Sequence, residues 1–137
     1  MSHGLRFARR IAYDAGDESI PVRVELALGS EKQTATAKLD TGSSHCVFRR
    51  EIGERLGLRI EEGDRMRVGT VTGTFEAYGH PVTLRTGNVE VDSIVYFAAH
   101  HDFPRNVLGR HGFLDRFRIG VVDYDGLLYL SRYDDED

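Results

Sequence analysis

From Ile20 to Leu28 the chain alternates, with Ile20, Val22, Val24, Leu26 and Leu28 standing between Pro21, Arg23, Glu25 and Ala27. A period of two turns one row of side chains toward a core and the other toward water, which predicts a strand. Gly29-Ser30-Glu31-Lys32 reads as a hairpin turn, and residues 33–39 as the returning arm, with Ala35, Ala37 and Leu39 on one face. After the short apolar segment Cys46-Val47-Phe48, the pattern over 49–57 changes. Ile52 and Leu56 stand four apart, which predicts a short helix closed by Gly57 and held mainly by packing. Residues 65–78 predict a second hairpin, with Gly69 and Gly73 bracketing Thr70-Val71-Thr72. Strands follow at 81–84 and 89–97, then a polar loop at 100–105 and a short helix at 111–116. A last hairpin joins 118–122 to 127–130 around Asp123-Tyr124-Asp125-Gly126.

Many short strands with glycine-containing turns predict an all-β domain carrying one or two short helices. Its 137 residues are the size of one domain, and no internal repeat divides them. The expected organisation is an N-terminal segment at 1–19, flexible or dimer-contacting, a folded domain at 20–133, and an acidic tail at 134–137. A formal charge of -4 argues against a nucleic-acid binder, which needs a concentrated positive surface. Arg6, Arg9 and Arg10 are followed at once by Asp14, Asp17 and Glu18, so that stretch reads as solvated surface. The single cysteine, Cys46, excludes an intrachain disulfide framework and fits a reducing compartment. No apolar run reaches the ~18 residues of a membrane span, and the start lacks the apolar segment of a signal peptide. A cytoplasmic protein without membrane partners is the expectation.

Asp40-Thr41-Gly42 is the motif that carries chemistry. Alone it would be a loop capped by its own carboxylate. Here an alternating strand delivers Asp40, Gly42 lets two backbones come close, and Ser43 and Ser44 supply hydroxyl donors. Other constellations are weaker. His45 and Cys46 are consecutive on an extended segment, so their side chains point to opposite faces. His100, His101 and Asp102 have no distant partners that would complete a metal site. Asp123-Tyr124-Asp125-Gly126 lacks the later ligands of a calcium loop. No metal or cofactor is implied.

Asp40-Thr41-Gly42-Ser43, followed downstream by Val107-Leu108-Gly109-Arg110, resembles the paired signatures of the single-domain, retropepsin-like aspartic proteases, including their bacterial members. The resemblance spans roughly residues 20 to 130, with the Gly69–Gly73 hairpin where the family has its flap. It implies a closed β-barrel of that acid protease type. It also implies that Asp40 is the catalytic carboxylate, Thr41 an anchor across a dimer axis, and Gly42 a backbone contact for bound peptide. Val107, Leu108 and Gly109 would pack beneath the turn, Arg110 would brace it, and Gly69, Thr70, Val71, Thr72 and Gly73 would form the flap. One departure stands out: viral members carry an acidic partner for the arginine where this chain has Ser44. Arg110 is then expected to find a backbone carbonyl, or Asp102, Asp115 or Glu51.

Metal-free peptide hydrolysis by carboxylates needs two of them, one ionised and one protonated. The chain has one Asp-Thr-Gly, so the expected enzyme is a homodimeric endopeptidase with Asp40 from each copy on a two-fold axis. Its substrate would be an extended polypeptide in an apolar-lined cleft. The alternative is a weakly active or inactive peptide-binding or dimerisation module of the same fold. An apolar edge at 127–130 is the expected contact between copies.

Overall fold

In the computed structural model, which describes residues 1–135, a short strand β1 (Arg9–Ala12) precedes the hairpin of β2 (Pro21–Leu28) and β3 (Glu31–Leu39). The alternation of β2 is realised in its burial: Val22, Val24 and Leu26 are 2%, 1% and 0% exposed, while Arg23 between them lies in solvent. Next come β4 (Val47–Phe48) and the helix α1 (Arg50–Arg55), which buries Ile52 and the following Leu56. Arg50 fastens this helix. Its guanidinium reaches Glu54 and Glu61, and donates to the carbonyl of Ala99 at 2.9 Å. The rest of the chain is β5 (Asp64–Thr70), β6 (Gly73–Thr86), β7 (Val89–Ala98), β8 (Val107–Leu108), β9 (Phe117–Val122) and β10 (Leu127–Arg132).

Seven strands form one sheet in the order β2-β3-β8-β4-β7-β6-β5, and a further pairing of β2 with β6 closes it into a ring. Closure depends on the length of β6. One edge of it pairs with β5 over Gly73–Gly79 and with β2 over Thr83–Arg85, while β7 runs along the other. Pro81 falls in the gap between those two partners, where no neighbouring strand on that edge asks for the N–H it lacks. The break expected before residue 81 is therefore absent, and 81–84 belongs to β6. Inside the ring lie Leu26, Phe48, Leu84, Phe97, Leu108 and Phe113, all fully buried.

The remaining strands make a second sheet, β1-β10-β9. This corrects the expectation for 127–130. β10 is the central strand, not an edge, and its Leu128 and Leu130 are buried. β1 covers it because Ile11 packs on the core and Phe7 lies 5.7 Å from Tyr129, an arrangement without a long alternating signal in the sequence. The helix expected at 111–116 is also absent. Gly112 sits at φ +108°, outside helical space, and its N–H is taken by Asp115 Oδ1 at 2.9 Å, so the segment is a series of turns. Of the acidic tail, Glu136 and Asp137 lie outside the described residues. Among the described residues, no helix is long and apolar enough to cross a membrane.

Candidate active site

Asp40 follows directly from a parallel ladder. Leu39 pairs with Leu108, and the next backbone N–H, that of Asp40, donates to the Leu108 carbonyl at 2.9 Å. The turn then closes on itself: Gly42 N–H donates to Asp40 Oδ1 at 3.0 Å and Ser43 N–H to the Asp40 carbonyl at 3.1 Å. Ser43 Oγ donates to the His45 carbonyl at 2.8 Å. Beyond β8 the chain returns to grip the far side, with Arg110 N–H on the Ser43 carbonyl at 2.9 Å and His111 N–H on that of Ser44 at 2.8 Å. Gly109 is the crossing point. A Cβ there would stand 2.4 Å from the carbonyl oxygen of His45 and 2.6 Å from that of Ser43, so no larger residue fits without moving the turn. Thus Asp40, Thr41, Gly42 and Ser43 are brought together with Val107, Leu108, Gly109 and Arg110.

Asp40 is half-buried, while Thr41 and Gly42 are exposed. Thr41 makes no side-chain hydrogen bond to any described residue. A carboxylate on a rigid sheet terminus, with a free hydroxyl and a bare backbone beside it, can bind water and present both to another molecule.

A cleft of about 280 Å³ adjoins this turn. Gly42, Ser43, Ser44 and His45 form one wall, with Val47 at its base, and Met66 to Gly69 of β5 form the other. Gly69 is the member of the expected flap that reaches the cleft. Thr70 to Gly73 make the exposed tip of the β5–β6 hairpin, where Thr70 Oγ1 donates to the Gly73 carbonyl at 2.9 Å. The middle of the hairpin is fixed by Phe75 against Phe103, with ring centroids 4.8 Å apart, and by Ala99 N–H on the Glu76 carbonyl at 2.9 Å. The apolar cleft expected from the sequence is in fact mixed: Val47, Met66 and Val68 share it with Ser43, Ser44, His45 and Arg67.

Arg110 departs from expectation as well. It is exposed and pairs with none of the three carboxylates proposed for it. Asp115 is occupied by Gly112 N–H and lies 3.5 Å from His111 Nδ1, while Glu51 lies 3.3 Å from Arg49.

His45, Val47, Met66, Arg67 and Val68 are the cleft residues that sequence reasoning missed. The alternation of Met66 and Val68 with Arg65 and Arg67 was the available signal, since it marks β5 as a strand with two distinct faces. The His45 ring stands edge-on to Tyr96 at 5.2 Å and 5.4 Å from His111. Partial burial lowers its pKa and nearby His111 adds to the effect, while Asp115 opposes it. Its neighbour Cys46 points inward and is fully buried, with its thiol pushed up to about 12 by desolvation. A thiol so protonated is a poor nucleophile, so the Cys46/His45 pair carries no covalent chemistry.

Among solved structures, the chain is similar in fold to EIAV protease complexed with the inhibitor HBY-793. The TM-score is 0.56 at 23% identity, over 73% of this chain and 88% of that one. No curated protein matches it. The family described as aspartyl protease matches residues 20–111, from the strand before the Asp-Thr-Gly turn to just past the glycine that locks it. With the turn, its crossing strand and the overlying hairpin all inside that span, the chain belongs to the aspartyl protease family.

Proposed function

We propose that the protein is an aspartic endopeptidase assembled from two copies of the chain, with one Asp40 from each flanking a single water molecule. The observation that carries this reading is the Asp40 turn. Its carboxylate is fixed at a sheet terminus beside a cleft whose other wall is the β5–β6 hairpin, and the chain contains no second Asp-Thr-Gly. The unsatisfied Thr41 hydroxyl, exposed next to Asp40, supports a two-fold axis at this point, where it could meet its symmetry mate.

In the assembled site two carboxyl groups share one proton, because close like charges disfavour double ionisation. The ionised group takes a proton from water as its oxygen adds to the peptide carbonyl carbon, and the protonated group donates to the carbonyl oxygen. Collapse of the resulting diol breaks the C–N bond, and a proton passes to the leaving nitrogen. The β5–β6 hairpin closes over the peptide, excludes bulk water and strengthens the polar contacts beneath it.

The unpaired Arg110 favours a second reading, a peptide-binding module of the same fold in which the turn lacks a local ion pair. One experiment separates the two. Wild type and Asp40→Asn are compared at matched concentration on an unbiased peptide library from about pH 3 to 7. Cleavage by wild type, lost in the variant while both remain folded dimers, is the expected result. Equal cleavage by both would point to a contaminant. Peptide binding without cleavage by either would establish the binding module.

A further inference from the structure

We propose that the cleft selects peptides carrying an acidic side chain close to the bond being cut, held by Arg67. The inference deepens the protease reading and rests on it for the position of the bond, though not for the charge preference itself. The ionisable residues lining the cleft are Arg67 and His45, and no Asp or Glu lines it. Arg67 is exposed, and its natural partner is engaged elsewhere. Glu76 faces it directly across the β5–β6 ladder, yet the carboxylate of Glu76 lies 3.7 Å from Arg65 instead. Arg67 therefore makes no hydrogen bond or ion pair to any described residue.

An exposed guanidinium left without an acceptor at the border of a cleft is a ready site for a carboxylate, which it can hold through two parallel hydrogen bonds. The molecule as a whole carries a formal charge of -4, so it does not attract acidic peptides indiscriminately. The attraction is local to this wall. In a two-fold assembly each copy contributes one Arg67, so acidic side chains would be favoured on both sides of the cut bond.

Binding to the uncleaving Asp40→Asn protein tests this without depending on catalysis. Fluorescent peptides of identical sequence, carrying Glu, Gln or Lys at each position in turn, are titrated at low and moderate salt. The expected result is that Glu at one or two positions binds about threefold to tenfold tighter than Gln, and Lys weaker than Gln. The advantage should shrink as salt is raised. It should disappear with Arg67→Ala in the same background and persist with Arg23→Ala, an exposed cation removed from another strand. Equal binding of Glu and Gln peptides, a preference that survives Arg67→Ala, or no binding of any peptide would each overturn the inference. The two readings can fail separately. An acidic preference with no cleavage by wild type would refute the protease and keep the charge site, whereas cleavage without the preference would do the reverse.

Discussion

Gly109 determines whether Asp40 is held in place. It carries no chemistry, yet the return strand can cross the Asp-Thr-Gly turn only because no side chain projects toward the carbonyls of Ser43 and His45. Both obstacles are backbone atoms in a hydrogen-bonded turn, so they cannot swing aside. Gly109→Ala is expected to cost about 2–4 kcal/mol in urea unfolding and to lower activity by displacing Asp40. An unchanged unfolding midpoint would refute the crossing as the constraint. His45 makes a separate prediction. Its pKa is lowered in the folded state, so below the ordinary value of 6.5 the unfolded chain binds the extra proton first. Stability is then fully present above that pH and lost as pH falls through the lowered value. His45→Gln should flatten this acid limb relative to wild type in unfolding at matched pH, and an identical pH slope in the two proteins would contradict it. Much at this scale was legible because it is local. Asp40, Thr41, Gly42 and Ser43 form one contiguous turn, and its closing bonds span two or three residues. That Arg110 has no carboxylate partner among the described residues was not legible, because it depends on which distant carboxylates other groups already occupy.

At the scale of elements, β2, β3, β7 and α1 follow their hydrophobic periods closely, since each buries a face that its own sequence marks. Failures cluster where tertiary context decides. β6 runs through Pro81 because that residue falls between two neighbours on its edge, which no local pattern could reveal. Residues 111–116 do not form the expected helix, because Gly112 turns the backbone away. β1 has four residues and a mostly exposed pattern, and exists because β10 offers it an edge. That dependence runs both ways. Removing residues 1–12 would strip β10 of its ladder, the Phe7–Tyr129 contact and the 2.6 Å bond from Ala8 N–H to Ser131 Oγ. The truncated protein is expected to lose about 2–3 kcal/mol and to self-associate through the bared strand, read by urea unfolding and light scattering. Unchanged stability and a clean hydrodynamic profile would show β1 to be incidental.

For the whole molecule, the closed ring explains how a domain of this size can hold one carboxylate at a fixed sheet terminus, and the proposed function gives that carboxylate its role. On the proposed function, a single chain presents half of the required chemistry. The single Asp-Thr-Gly motif makes the proposal of a paired site legible in the sequence, whereas the edge expected at 127–130 is not free to join copies, because those apolar residues are consumed by an intramolecular sheet. The most direct test of the paired-aspartate site is a mixing experiment. Wild type and Asp40→Asn are allowed to exchange subunits at fixed total concentration, and peptidase activity is followed as the variant fraction rises. If each site needs both aspartates, activity falls as the square of the wild-type fraction, to about a quarter at equal mixing. A linear fall, to about half, would mean that each chain works with its own Asp40 alone.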